Sequence, residues 1–142
     1  MQSKSIAIKQ NHQIFFNRLN MGSPYKGKTG YKHIGSALLC SLAGLRAAIQ
    51  HEDAFRQEVL LACILIPLAI FLPVSALGKA MMVASVLLVL IIELLNSAIE
   101  AAVDHASLDY HPLAKRAKDI GSAAVLLSLL NVVSVWALIL LG

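Results

Sequence analysis

The sequence predicts an all-α membrane protein in which an N-terminal amphipathic surface helix precedes three transmembrane helices. Apolar residues make up 58% of the 142 residues and charged residues only 14%, against about 45–50% and ~25% in soluble domains. A chain this short has too much surface for its volume to hide that apolar content from water. Three long apolar runs follow a polar, basic start, and the Lys and Arg residues are distributed unevenly around them.

Residues 1–32 are rich in Asn, Gln, Ser, Gly and Lys and are expected to form a flexible basic arm, with a short amphipathic turn around Ile14, Phe15 and Phe16. From His33 to His51, residues Ile34, Ala37, Leu38, Leu42, Leu45, Ala48 and Ile49 recur at three- and four-residue spacing. That period is helical, and beside a bilayer such a stripe lies in the interface facing acyl chains. Val59–Leu77 is the first expected span, with Pro67 as a kink and Pro73 as its end. Residues 80–100 are the second, continuing helically to Val103, and residues 120–141 are the third. Each approaches the ~20 residues that a hydrocarbon core requires. Pro73–Gly78 reads as the turn joining the first two, and residues 33–142 as one membrane domain.

Charge orients the bundle. Eight basic residues, from Lys4 to Arg56, precede the first run; Lys115, Arg116 and Lys118 separate the second from the third; only Lys79 lies between the first and second. Positive charge is retained on the cytoplasmic side, so the N-terminus and the segment 104–119 are expected inside and the C-terminus outside. The first apolar run begins too far along the chain for an N-terminal signal peptide. No interleaving of basic and aromatic residues points to nucleic acid. Cys40 and Cys63 do not make a disulfide framework, and His105 and His111 lack the paired spacing of a zinc site.

The chemistry is concentrated at one depth. Glu93, Asn96, Ser97, Glu100 and Asp104 share one helix face at the cytoplasmic end of the second span. Carboxylates a turn apart in low dielectric repel unless a proton or cation intervenes. A Mg²⁺ ion carrying phosphates resolves this, since it favours carboxylate and nucleotide oxygens. A seam that only glues helices together needs one Asn or Ser and no ionised group. Lys115, Lys118, Asp119 and Ser122 open the third span at helical spacing, and Glu52, Asp53, Arg56 and Glu58 precede the first. Taken alone, the lysines also suit snorkelling at a membrane surface, and the acidic stretch suits a solvated turn. Together they bring acids and bases to a level where a nucleotide and a lipid head group can meet.

One motif is set aside. Gly22-Ser-Pro-Tyr-Lys-Gly27-Lys28-Thr29 matches the phosphate-loop pattern, but that pattern works only between a strand and a helix of an α/β domain. No strand precedes it here.

The stretch Glu93-Leu-Leu-Asn96-Ser-Ala-Ile-Glu100-Ala-Ala-Val-Asp104 resembles the signature of the prokaryotic diacylglycerol kinases. Gly44-Leu-Arg-Ala-Ala, Glu52-Asp-Ala-Phe-Arg-Gln-Glu58 and Arg116-Ala-Lys-Asp119-Ile-Gly-Ser-Ala-Ala-Val are similar to the segments that surround it in that family. The resemblance covers about residues 33–142. It implies a homotrimer with composite sites between subunits, set in the bacterial inner membrane. ATP would be the phosphoryl donor and diacylglycerol the acceptor, with Mg²⁺ as cofactor. By the same resemblance Glu93 is the general base, supported by Asn96, and Glu52 and Glu100 hold metal. His33, Cys40, Glu52, Glu100, Asp109, Tyr110, His111, Lys118 and Asp119 lie at the nucleotide. Ala54, Phe55, Arg56, Gln57, Glu58, Glu93 and Ser122 line the lipid side.

His33 stands where the family commonly carries Arg, and Cys40 where some members have Tyr. Tyr110-His-Pro-Leu-Ala-Lys is similar to the undecaprenol kinase branch, whereas Gly121-Ser-Ala-Ala is similar to the diacylglycerol branch. The alternatives are therefore an undecaprenol kinase of identical chemistry and a non-enzymatic membrane adaptor or channel subunit. Against the last stands the cost of Glu93 and Glu100 in one span without a catalytic use.

Overall fold

The computed structural model describes residues 31–106 and 111–142, all of them helix or short connection. The basic arm as far as residue 30 lies outside the described residues, as do its phosphate-loop-like stretch, Asp109, Tyr110 and the side chain of His33. The helices are α1 (Tyr31–His51), α2 (Asp53–Phe71), α3 (Ala76–Ala106) and α4 (Pro112–Leu141). The chain divides into two compact units, Met1–Ala43 and Gly44–Gly142, with the boundary inside α1.

In the first unit the described residues are the opening turns of α1. Ser41 Oγ donates to Ala37 O at 3.0 Å, and Ile34, Leu38, Leu39 and Leu42 are exposed.

The second unit begins with the last turns of α1 and holds α2, α3 and α4. Helices α2, α3 and α4 are long and apolar enough to cross a membrane. Central α3 packs against both α2 and α4. Its buried stripe is Met82, Ser85, Val86, Val89 and Glu93, the three- and four-residue spacing of one helix face. On α2 the buried residues are Phe55, Ala62 and Ala69, a seven-residue repeat that runs as a seam down the helix.

Two glycines set the approach of α3 to α4. A Cβ on Gly121 would meet the Asn96 side chain, and one on Gly78 would meet Ile139 Cγ2 at 3.3 Å. The two approaches lie eighteen residues apart on each helix, in opposite chain directions. The helices are therefore antiparallel neighbours over about 27 Å, close to the ~30 Å hydrocarbon thickness.

The first and third spans begin earlier than the apolar runs alone predict. Helix α2 takes in the charged stretch from Asp53, and α4 starts at Pro112. Proline is pre-organised for a first helical position, and His111 Nδ1 accepts from Leu113 N at 3.2 Å as the cap. At the other end α2 stops at Phe71, two residues before Pro73. Ser75 Oγ then accepts from Gly78 N at 3.1 Å to open α3, and Lys79 Nζ donates to Ile70 O at 2.7 Å. The turn is shorter than predicted.

Large apolar side chains cover the outside of this unit, with Phe71 85%, Leu138 76% and Leu141 88% exposed. Lipid or further protein, not water, suits such a surface. The chain is a multi-pass membrane protein.

Candidate functional site

The start of α2, the end of α3 and the start of α4 share one end of the bundle, and most of the ionisable side chains are there. Glu52 separates α1 from α2 in an extended conformation (φ −110°, ψ 110°) and occupies the N-cap of α2 without capping it by its side chain. Ser, Thr, Asp and Asn are the efficient caps. A glutamate here leaves its carboxylate free for other work. Arg56 steadies the junction: its Nη1 donates to Ile49 O at 3.1 Å and Gln50 O at 3.2 Å, and it pairs with Asp53.

Glu93 ends the buried stripe of α3 and is only 4% exposed. One turn on, Asn96 Nδ2 donates to Glu100 Oε1 at 3.3 Å, while Asn96 Oδ1 is buried without a hydrogen-bond partner. Glu58 Oε2 on α2 is likewise buried and unpartnered. Glu93 lies within electrostatic reach of Glu100 and Glu52, and Glu58 within reach of Glu93. Among the described residues, none of these four glutamates forms an ion pair; the pairs present are Arg56–Asp53, Lys115–Asp119 and Lys118–Asp104.

The last of those pairs joins two helices. Lys118 Nζ lies 2.7 Å from Asp104 Oδ1 and 3.0 Å from Oδ2, within electrostatic reach of Glu100. Lys115 and Asp119, at 2.7 Å, form an exposed pair along α4 itself.

Beside Glu58 a cavity of about 230 Å³ opens between α2, α3 and α4. Its walls include Leu61 and Leu65, Val86 and Val89, and Leu129 and Val133, and Glu58 is its one charged wall residue. A carboxylate cluster thus adjoins a slot of hydrocarbon character.

The donors suit a hard divalent cation. Glu58 Oε2 and Asn96 Oδ1 are buried oxygens with no hydrogen-bond partner among the described residues. Among the described residues no group of three or more His, Cys, Asp or Glu side chains could by itself hold a metal ion. An ion that keeps several waters and shares phosphate oxygens needs only one or two carboxylates.

The sequence model described as prokaryotic diacylglycerol kinase matches residues 39–140. The chain belongs to the prokaryotic diacylglycerol kinase family. Relatives named diacylglycerol kinase include one from Pseudomonas aeruginosa, 57% identical over 120 residues that cover 84% of this chain and 98% of the relative. One from Haemophilus influenzae is 48% identical over 112 residues, covering 79% and 95%. One from Escherichia coli K12 is 46% identical over 112 residues, covering 79% and 92%.

Within this diacylglycerol kinase fold, Glu52, Glu58, Glu93, Asn96, Glu100 and Lys118 gather at one end of the second unit. Asp119, Ser122, Ala54, Arg56 and Gln57 are exposed at that end, whereas Phe55 is 2% exposed and packed inside. His111 serves as a helix cap. Cys40 is exposed in the first unit. Two features escape the sequence patterns. Asp104, on the polar face of α3, pairs with Lys118 across the helix gap, and Gly121 lies against Asn96. The one available signal for Gly121 is a glycine inside a long helix, which costs about 1 kcal/mol against alanine and so calls for a packing reason.

Proposed function

We propose that this chain, a diacylglycerol kinase by family, transfers the γ-phosphoryl group of ATP to the free hydroxyl of diacylglycerol at the cytoplasmic face of a bacterial inner membrane. The observation that carries the reading is the gathering of Glu52, Glu58, Glu93 and Glu100 at one end of a membrane bundle, none of them in an ion pair among the described residues. Ionisable side chains within membrane-spanning helices are costly unless they have a use, and each buried polar atom without a partner costs about 1–3 kcal/mol. A purely structural bundle would not accumulate such costs in one place.

Transfer is in line. The lipid oxygen bonds to the γ-phosphorus as the bond to the bridging β–γ oxygen breaks, leaving ADP and phosphatidic acid. Positioning and charge neutralisation dominate such a reaction. Glu93, buried at the end of the apolar stripe, accepts the hydroxyl proton. Asn96 steadies it. Glu52 and Glu100 would hold Mg²⁺, which when bound neutralises charge developing on the phosphates. Lys118 and Asp119 on α4 contact the nucleotide, a role that family resemblance extends to Asp109, Tyr110 and His111. The apolar slot next to Glu58 suits an acyl chain, and Ala54–Glu58 with Ser122 form the lipid side. Family resemblance supports a homotrimer whose sites are shared between subunits, and the distribution of Lys and Arg supports an N-terminus inside and a C-terminus outside.

Glu93→Gln tests the assignment of the base. The variant should retain its melting temperature and lose turnover by about 10²–10⁴-fold. Full turnover in Glu93→Gln would remove Glu93 from that role.

A further inference from the structure

We infer that Gly121 is a positioning residue for the transfer reaction: by bringing the α4 backbone against Asn96, it fixes the amide that aims Glu100 into the site. The inference rests on the reading of Glu100 as a metal-holding carboxylate.

Gly121 is buried, and a Cβ there would collide with Asn96 Oδ1. Oδ1 can withdraw only by turning the Asn96 side chain, and because the amide is a rigid plane that turn moves Nδ2 with it. Only the hydrogen at this position lets the amide occupy the space. In that place Asn96 makes one hydrogen bond, Nδ2 to Glu100 Oε1 at 3.3 Å, and its Oδ1 is buried with no partner. The amide is therefore held by shape, by the α4 backbone on one side, as well as by hydrogen bonding. Rotation away from Gly121 would break the bond to Glu100.

Gly78 makes the contrast. At the other end of the same helix pair, a Cβ would meet Ile139 Cγ2 and Ser75 Oγ, both at 3.3 Å. The Ile139 contact is an apolar methyl that would have to give by only a few tenths of an ångström. At Gly121 the group met is polar, buried and bonded to a site carboxylate. A closely packed pair of helices explains both glycines; only the second sits against the reacting end.

The test is a double-mutant cycle on the full-length enzyme in mixed micelles, after the wild type has been shown to phosphorylate diacylglycerol. An inactive wild type would overturn the functional reading itself, separately from the role of Gly121. In the active enzyme, Gly121→Ala should lower kcat roughly tenfold or more. KM for diacylglycerol should stay unchanged and the Mg²⁺ concentration for half-maximal rate should rise. In the Asn96→Ala background, Gly121→Ala should cost nothing further, because the atom it strikes has gone. A second readout needs no turnover. The side-chain amide signal of Asn96, identified by its loss in Asn96→Ala, should shift in Gly121→Ala. If Gly121→Ala fails to assemble, the double variant should recover assembly. Wild-type kcat in Gly121→Ala, an unmoved amide signal, equal losses in both backgrounds, or a double variant that still fails to assemble would each overturn the inference.

Discussion

At the residue scale, the site is built from side chains denied their usual partners. Glu52 occupies a helix N-cap without capping it by its side chain, and Glu58 and Asn96 each bury an oxygen with no hydrogen-bond partner among the described residues. Because the Glu52 side chain makes no capping hydrogen bond, Glu52→Gln should leave the melting temperature unchanged. It should raise the Mg²⁺ concentration needed for half-maximal phosphorylation, which a metal titration of the rate would measure. A fall in stability with unchanged metal demand would assign Glu52 to the helix junction instead. Glu93, Asn96 and Glu100 were legible in the sequence because ionisable groups at helical spacing stand out against an apolar run. The partnership of Asn96 with Gly121 was not, since it depends on which turns of α3 and α4 face each other. The same holds for Lys118 and Asp104, fourteen residues apart in sequence and 2.7 Å apart in space.

At the scale of the elements, periodicity identified the helices and turn chemistry decided their ends. Charged residues at positions 52–58 read equally well as a solvated turn, yet Asp53 begins α2. The first turn of a helix that meets the interface can remain polar while its inward residue, Phe55, packs. Phe55→Ala should cost about 3–5 kcal/mol, measurable by denaturation in detergent. Pro112, read as a mark of substrate branch, has a local explanation as the first residue of α4 after the His111 cap. The Lys118–Asp104 pair links α3 to α4 at the charged end of the bundle, but both side chains remain well exposed at 37% and 62%. Exposed pairs add little to stability. Asp104→Asn should therefore leave thermal unfolding unchanged and raise KM for ATP by freeing Lys118. An unchanged KM would detach the pair from nucleotide binding.

At the scale of the whole molecule, three long apolar helices and a one-sided distribution of Lys and Arg were both legible from composition. What the apolar outer surface meets was not, because lipid and a neighbouring subunit select for the same side chains. Eleven of the twelve Lys and Arg residues fall on one side of the three spans, and that asymmetry predicts a topology with this side inward. In a chain with Cys40 and Cys63 changed to Ser, Ser75→Cys should react with a membrane-impermeant thiol reagent added outside intact spheroplasts. Lys115→Cys should react only after permeabilisation, and the reverse pattern would invert the bundle. The central claim, phosphorylation of diacylglycerol, is tested most directly by offering purified protein Mg·ATP with diacylglycerol and undecaprenol in parallel mixed micelles and measuring phosphate transfer to each. Transfer to diacylglycerol in clear preference is the expected result. Preference for undecaprenol, or transfer to neither by folded protein, would contradict it.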